Sequence, residues 1–378
     1  MSMRQSVRER FGNLDPVIVF LTFGLVALGL IFLMSATGPV AFQRAAGDSL
    51  YYVKRQLLNG VLPGIVLFLF FSLVDYRVWR KVAPVALVAT FVLLMLVYIP
   101  GLGVEVGGAR GWIRVAGISI QTSELAKFSF LIYLSAWLAE RSKGEIRQWN
   151  EGVFPFLLTL GAVVLLLVLQ PDTGSTAVIA GMSLALFFLA GAPLPAVGGF
   201  LAAGAAGLFL LLRISPYRAE RFLTFLHPEL DPQGIGYHIN QAMLAIGSGG
   251  FLGVGYGHSR QKFLYLPEVE ADSIFAVVAE ELGFFLSAVL LLGFAFLVWR
   301  CLSIARNSRD RFGALLAAGV AAWIGAQLLL NVGSMTGLLP ITGVTMPFIS
   351  HGGSSLAVLL AAMGLVAGIP RHASERTV

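Results

Sequence analysis

Five carboxylates lie close together in one part of the chain, and one of them is placed to act as a base. They are Glu268, Glu270, Asp272, Glu280 and Glu281. Asp272 precedes a long apolar segment, where a helix N-terminus favours an ionised carboxylate, so it is predicted to cap that helix, to act as a general base, or both. Glu280 and Glu281 follow about 12 to 13 Å further along a helix. They therefore cannot form with Asp272 the carboxylate pair of a glycosidase.

Candidate cations lie in two segments, one well before these carboxylates in the sequence and one that leads up to them. A diphosphate leaves as a stable anion without a general acid, so one base and several cations around the diphosphate would suffice. Arg110 can bind phosphate with two hydrogen bonds, and the neighbouring Trp112 can anchor at a membrane interface. Further positive charge lies at Arg218, Arg221 and Lys262. We interpret these groups as ligands of an anionic head group such as a lipid-linked pyrophosphate, with interfacial anchoring and solvated loop charge as alternatives.

An acid and a base are also predicted inside an apolar segment. Glu124 and Lys127 are three residues apart in Gln121-Thr-Ser-Glu124-Leu-Ala-Lys127, which places them on one face of a helix. Ionisable groups within a bilayer are costly and mark function or a buried pair. The pair either orients the helix or contacts substrate, and both alternatives predict damage on mutation.

The elements that carry these residues are predicted to be membrane-spanning helices. The chain has 378 residues, 57% of them hydrophobic and only 12% charged, whereas soluble domains carry about a quarter charged residues. About ten apolar runs have the roughly 20 residues that a helix needs to cross a bilayer. They are residues 16–36, 57–74, 82–99, 123–139, 152–169, 174–190, 194–212, 273–299, 312–333 and 355–369. The predicted fold is an all-α, polytopic integral membrane protein.

Charge predicts the orientation of these helices. With an even number of spans both termini lie on one side, and that side carries fifteen lysines and arginines, against five in the short loops opposite. The positive-inside rule then places both termini in the cytoplasm. The single cysteine, Cys301, excludes a disulfide framework and a multi-cysteine metal site, and it is predicted to be a structural thiol.

Two connections on the outer side are long, at about residues 101–122 and 213–272. The second is too apolar to be disordered and is predicted to be ordered on the membrane, with a helix at 237–246 and a glycine-rich turn at 248–257. The last two spans are joined by an irregular glycine-rich segment. No separate soluble domain is recognisable, so residues 1–378 are interpreted as one membrane domain.

The motifs and their order resemble the SEDS family of shape, elongation, division and sporulation proteins, represented by FtsW, RodA and SpoVE. The resemblance covers nearly the whole chain. Its most specific pieces are Gly108-Ala-Arg110-Gly-Trp112-Ile113, Gln121 to Lys127, Gln170-Pro-Asp172, Gln261 to Glu268, Asp272, Ala279-Glu280-Glu281-Leu-Gly283, Gly337-Leu-Leu-Pro340 and Pro347 to Ser355.

This resemblance implies ten transmembrane helices with a long extracytoplasmic loop between the seventh and eighth. It implies a peptidoglycan glycosyltransferase that polymerises lipid II through β-1,4 bonds at the outer face of the bacterial cytoplasmic membrane and releases undecaprenyl pyrophosphate. The implied partners are a class B penicillin-binding protein and other proteins of division or elongation complexes, and no nucleic acid is expected. No cofactor is implied with certainty, although a divalent cation is compatible with a diphosphate substrate.

The resemblance also assigns roles to residues. The family's essential acid falls on Asp272, which would deprotonate the acceptor hydroxyl, while Arg110 and Lys262 would hold the diphosphates. The remaining substrate-binding candidates are Trp112, Glu124, Lys127, Arg218, Arg221, Glu268, Ser354 and Ser355.

Two local departures from the family are visible, and the catalytic position itself, Asp272, is retained. The family commonly has His-Thr-Asp-Phe where this chain has Glu270-Ala-Asp272-Ser273, and Ser-Tyr-Gly-Gly where it has Ser350-His351-Gly352-Gly353. Residues 217–228 and 261–268 are somewhat closer to FtsW than to RodA, which favours division over elongation.

Three other functions fit parts of the sequence. A lipid II transporter would use the same intramembrane charges, but its proton relay would extend through the bilayer midplane, whereas Asp272 is predicted at the outer surface. A division scaffold would need no catalytic acid. Ligation of another undecaprenyl-linked sugar is separated from lipid II polymerisation only by the family motifs.

Overall fold

The chain is a bundle of apolar helices with one small sheet. The computed structural model describes residues 14–106, 109–115, 117–214, 216–231 and 233–374. The helices are α1 Pro16–Arg44, α2 Tyr51–Gln56, α3 Leu62–Leu73, α4 Arg77–Lys81, α5 Ala83–Leu96, α6 Thr122–Ala139, α7 Lys143–Arg147, α8 Phe154–Leu169, α9 Thr173–Leu189, α10 Leu194–Ile214, α11 Pro216–Leu226, α12 Ile235–Gly249, α13 Ile274–Asn307, α14 Arg311–Met335 and α15 Gly353–Ser374. Single π turns at Leu57–Val61 and Trp149–Val153 lead into α3 and α8, and a short 3-10 helix covers Pro228–Leu230.

Each of the ten predicted apolar runs coincides with helix. Within the described residues, seven helical segments are long and apolar enough to cross a membrane, whereas Ala83–Leu96 and Thr173–Leu189 are apolar but shorter. The chain is therefore a multi-pass, predominantly helical membrane protein, as predicted, and the count of ten crossings stays a prediction.

The last two helices are the most buried of the seven long apolar segments. Side chains of α14 and α15 are mostly buried, and α15 packs closely on α3 because Gly364 brings the two backbones together: a Cβ there would lie 2.2 Å from the Phe68 carbonyl oxygen. Large apolar side chains on the outer helices, such as Phe20, Leu194 and Phe284, are instead exposed. An apolar exterior of this kind is suited to lipid.

The two long outer connections are more ordered than loops. The first connection contains a three-stranded antiparallel sheet of β1 Gly103–Val106, β2 Ala109–Val115 and β3 Ile118–Gln121, in the order β1-β2-β3. This small sheet was not predicted, and it is an addition to a fold that is helical, as predicted. The second connection contains α11 and α12, and α12 confirms the helix predicted at 237–246.

Helix α13 is broken at Gly283, which has φ +70° and ψ −177°. The break frees backbone groups, and residues 250–255 satisfy them: Val254 N donates to Glu280 O at 3.0 Å, and Phe284 N donates to Gly250 O at 2.9 Å. Backbone of this kind persists inside a membrane protein only where protein covers it. The half-helix before Gly283 is buried, and the half after it carries exposed phenylalanines.

The break requires glycine at position 283, and substitution of Gly283 tests this requirement. A Cβ at position 283 would lie 2.2 Å from Gly253 N, and φ is in the left-handed region. We expect Gly283→Ala to lower the free energy of unfolding by roughly 2–4 kcal/mol, measured by thermal unfolding in detergent. Gly293→Ala is the control, since a Cβ there meets nothing within 4 Å. Equal unfolding temperatures for the two variants would contradict this account of the break.

Candidate active site

Asp272 is buried at the start of α13 and is held by its backbone. Its carbonyl oxygen accepts a 2.8 Å hydrogen bond from Asn331 Nδ2 on α14, and the same amide nitrogen donates to Val344 O at 2.8 Å. The side chain is 6% exposed, and the Ser273 hydroxyl lies 3.4 Å from Asp272 Oδ1. Asn331 therefore fixes Asp272 against α14 and the segment that follows it.

The predicted helix-capping role of Asp272 is wrong. Ser273 occupies the N-cap position of α13, and no side chain caps the helix there. A tight turn before the helix explains this: Glu268 has φ +47°, and its carbonyl oxygen accepts from Ala271 N and Ser273 N. The Asp272 carboxylate is consequently not used by the helix and is available for chemistry.

Glu270 fastens the same turn to the first two helices. Its Oε1 atom accepts hydrogen bonds of 3.0 Å from both Arg44 Nη1 and the Tyr52 hydroxyl. Its carbonyl oxygen accepts from His351 N at 2.8 Å, and the His351 ring packs edge-on against Tyr52. We call Arg44, Tyr52 and Glu270 the clasp, because together they hold the turn that carries Asp272.

The environment of Asp272 raises its pKa to about 7. Burial of the carboxylate is the largest cause, and repulsion from Glu268 adds to it. The Ser273 hydroxyl acts in the opposite direction by stabilising the charged form. A carboxyl with this pKa exchanges a proton near neutral pH, as a general base requires.

Lys262 is not placed like a substrate ligand. Its ammonium group is buried, 2.8 Å from Glu281 Oε1 and 3.0 Å from Ser35 Oγ. Glu281 also accepts from Ser35 Oγ, and the adjacent Glu280 accepts from Ser259 Oγ and Arg260 N. These contacts favour a role for Lys262 in fixing the segment before Asp272, and they keep Glu280 and Glu281 apart from Asp272, as predicted.

The predicted pairing of Glu124 with Lys127 is confirmed. Lys127 Nζ lies 2.8 Å from Glu124 Oε1, both side chains are buried, and the ammonium lies 5.5 Å from the centre of the Trp323 ring. Trp323 Nε1 donates to Gln327 Oε1, and Gln327 Nε2 donates to Thr345 O. Helix α14 and the segment 336–352 therefore connect this pair to the Asn331 contact with Asp272.

The sheet presents two further candidates. Arg110 is exposed on β2, and Trp112 is half-buried and pairs with Gln121 of β3. Ser354 Oγ accepts from Gln121 N at 3.3 Å, and Ser355 Oγ lies 3.5 Å from Thr345 Oγ1. Ser354 and Ser355 thus join α15 to β3 and to the segment 336–352.

Glu268 lies beside Asp272 with an exposed side chain, and it acts on Asp272 through charge repulsion and through its carbonyl oxygen in the turn. Arg218 and Arg221 belong to α11, but their side chains lie outside the described residues. In the described part of the chain no three His, Cys, Asp or Glu side chains are grouped to hold a metal ion. A divalent cation therefore has no preformed site of that kind there and stays a prediction.

The sequence reasoning missed Arg44, Tyr52 and His238 as neighbours of the site. Arg44 and Tyr52 act on Glu270 across more than two hundred residues of sequence, and His238 Nε2 lies 2.5 Å from Ser273 Oγ. Arg44 is one of the few basic residues predicted on the outer side. Its positive charge there is the signal in the sequence that could have identified it.

Comparison with known proteins places these features in context. The sequence model of the cell cycle proteins FtsW, RodA and SpoVE matches residues 16–375. Stage V sporulation protein E of Bacillus subtilis (strain 168) is 39% identical over 358 residues, covering 95% of this chain and 97% of the relative. The probable peptidoglycan glycosyltransferase FtsW of Coxiella burnetii is 40% identical over 356 residues, covering 93% and 95%.

Two solved structures share the fold. A chain of a peptidoglycan synthase complex, solved to describe how polymerization and crosslinking are coordinated, has a TM-score of 0.76 at 30% identity and covers 96% of this chain and 99% of that chain. The rod shape determining protein RodA of Thermus thermophilus has a TM-score of 0.69 at 29% identity and covers 96% and 98%.

The raised pKa of Asp272 makes stability depend on pH. The folded pKa of about 7 exceeds the usual value of 3.8, so the folded state binds the extra proton and stability falls as pH rises from about 4 to about 7. At pH 8 the ionised carboxylate costs roughly 4 kcal/mol, at about 1.4 kcal/mol per unit of pKa. We therefore expect Asp272→Asn to unfold at a higher temperature than the wild type at pH 8, with a smaller difference at pH 5.

The control for this measurement is Glu151→Gln, which removes an exposed carboxylate. Its unfolding temperature should match the wild type at both pH values. A decrease for Asp272→Asn at pH 8 would mean that the ionised carboxylate is stabilised in the fold, contrary to this description.

Proposed function

The chain belongs to the FtsW, RodA and SpoVE family of cell cycle proteins, and on this premise we propose that it is a peptidoglycan glycosyltransferase that polymerises lipid II. The reaction joins the sugars by β-1,4 bonds and releases undecaprenyl pyrophosphate. The observation that carries the mechanism is the buried Asp272 carboxyl, with a pKa of about 7, held at the mouth of α13.

Asp272 acts as the general base. Its carboxylate takes the proton from the acceptor hydroxyl as that oxygen attacks the anomeric carbon of the donor sugar. The bond from the anomeric carbon to the diphosphate oxygen breaks, and the electron pair leaves with the diphosphate. Because that leaving group is a stable anion, no second carboxylate is needed, in agreement with the separate contacts of Glu280 and Glu281.

Arg110 is the cation best placed to meet the leaving diphosphate. It is exposed on β2, next to the sheet contacts that Ser354 makes, and its guanidinium can form two hydrogen bonds to phosphate. Trp112 lies two residues further along β2, on the same face of the strand, and supports an interfacial position for the sheet. Lys262 contributes through its buried bond to Glu281, which holds the segment that leads to Asp272.

Glu124 and Lys127 support the site from α6, the helix that directly follows the sheet. The buried pair is connected to the segment 336–352 through Trp323 and Gln327. Glu124 Oε2 has no hydrogen-bond partner among the described residues. An oxygen of this kind can accept a hydrogen bond from a substrate hydroxyl or amide, which favours contact with substrate over a purely orienting role.

The protein works in a membrane and in an assembly. We place it in the bacterial cytoplasmic membrane with both termini in the cytoplasm, from the distribution of lysine and arginine. Its structural relative is a chain of a peptidoglycan synthase complex, and that relationship supports a class B penicillin-binding protein as partner. Other division or elongation proteins are further partners, and the sequence preference for division stays a prediction.

The first test is polymerisation by Asp272→Asn. The purified protein, paired with a class B penicillin-binding protein, is given labelled lipid II, and the glycan chains are separated by length. We expect at least a 100-fold loss of rate, since a positioned base contributes about 10² to 10⁴. Glu229→Gln, an exposed carboxylate in the same outer connection, should keep the wild-type rate.

Two outcomes would overturn this assignment. Wild-type rates from Asp272→Asn would remove Asp272 as the base. Absence of polymer from the wild type, together with passage of lipid II across wild-type proteoliposomes, would replace the transferase by a transporter.

The second test separates the two roles of Glu124 and Lys127. Lys127→Met leaves a buried carboxylate without its cation and should cost about 3–5 kcal/mol of stability, whereas the double variant with Glu124→Gln should recover most of it. We expect the stable double variant to polymerise lipid II at least tenfold more slowly than the wild type. Recovery of both stability and polymerisation would show that the pair only orients α6.

A further inference from the structure

The Ser273 hydroxyl occupies the centre of a short chain of polar groups that begins at Asp272. It lies 3.4 Å from Asp272 Oδ1, 2.7 Å from Pro267 O and 2.5 Å from His238 Nε2. Ser273 is fully buried, whereas His238 is half-buried on α12. A protonatable imidazole is therefore joined to the buried carboxyl by a single hydroxyl.

A buried base needs such a connection. Once Asp272 has taken a proton, it must lose it before the next sugar is added, and its side chain is only 6% exposed. Glu270 is held by Arg44 and Tyr52, and Asn331 binds the Asp272 backbone and not its carboxyl. Glu268 is an exposed carboxylate that repels the Asp272 charge.

Two histidines, His351 and His238, are the remaining titratable groups near the turn. Burial lowers the pKa of His351, and its backbone nitrogen binds Glu270. Of the groups that the structure describes around Asp272, His238 is the one that reaches it through a hydroxyl. A hydroxyl can accept one proton and donate another, and a rotation of its hydrogen from Pro267 O to Asp272 Oδ1 or His238 Nε2 is sufficient.

We propose that Ser273 and His238 form a proton relay that returns Asp272 to its ionised state after each transfer, which rests on the proposed glycosyltransferase function. The acceptor O–H bond breaks and its proton binds an Asp272 oxygen. That proton then passes to Ser273 Oγ, while the Ser273 hydroxyl proton passes to His238 Nε2. The imidazolium releases a proton to water, and no oxidant or further reactant is consumed.

The relay requires a hydroxyl at position 273, because an apolar side chain there could not carry a proton. His238 and Ser273 are positioning residues, because they act on the reaction through Asp272. A merely structural serine would hold the turn through Pro267 O and would leave proton transfer unaffected.

The test compares single variants with matched controls. Ser273→Ala removes the hydroxyl, Ser273→Thr retains one, and His238→Ala removes the imidazole. The controls are Ser248→Ala, whose hydroxyl bonds only locally to Ala245 O, and His258→Ala, an exposed histidine. Each variant is first compared with the wild type by thermal unfolding, and lipid II polymerisation is then measured as kcat and KM.

We expect Ser273→Ala and His238→Ala to lower kcat about tenfold, below the full contribution of a general base, with KM within about twofold of the wild type. Ser273→Thr should retain most of kcat. Imidazole added to the assay should restore His238→Ala but not Ser273→Ala or Asp272→Asn. A much weaker base of similar shape, 1,2,4-triazole, should not restore it, which distinguishes proton transfer from filling of space.

Other results reject the relay. Wild-type kcat in a folded Ser273→Ala or His238→Ala variant would overturn it, and so would equal rescue by imidazole and triazole, or a raised KM with unchanged kcat. A wild-type protein that makes no glycan from lipid II would instead reject the proposed function. The two failures are therefore distinguishable in the same experiment.

Discussion

The structure depends on one constraint, which is that backbone groups freed within an apolar environment must find partners in the protein. Helix α13 is interrupted at Gly283, and the backbone of residues 250–255 supplies the missing hydrogen bonds. This arrangement fixes the buried half of α13, and with it the turn that carries Asp272. The aspartate is thus positioned by a break in a helix, whose other half remains free to face lipid.

Buried charged side chains, like freed backbone groups, need partners within the protein. Glu124 is bonded to Lys127, Glu281 to Lys262 and Glu270 to Arg44. In the described part of the chain Asp272 has no cation within ion-pair distance. Burial without a cation raises the pKa of Asp272 to about 7, which suits this carboxyl to exchange a proton near neutral pH.

The sequence predicted what is encoded locally. The length of the apolar runs predicted the ten segments that coincide with the long helices, and a spacing of three residues predicted the Glu124–Lys127 pair. It could not predict that Lys262 binds Glu281, because that partner depends on how residues 250–262 fold against α13. Nor did it predict the sheet, in which Gln121 pairs with Trp112, or the N-cap at Ser273, whose N–H donates to Glu268 O, because the pattern of apolar residues does not specify these local backbone turns.

The two sides of the Asp272 turn differ in how firmly they are held. On one side, the Lys262–Glu281 pair is almost completely buried, and breaking it would leave an uncompensated charge. On the other side, Arg44 is 61% exposed, and an exposed ion pair contributes little to stability. A substrate hydroxyl must reach a buried carboxyl, so access is expected to open at the clasp of Arg44, Tyr52 and Glu270. The segment that holds Lys262 then stays fixed and preserves the geometry of the base.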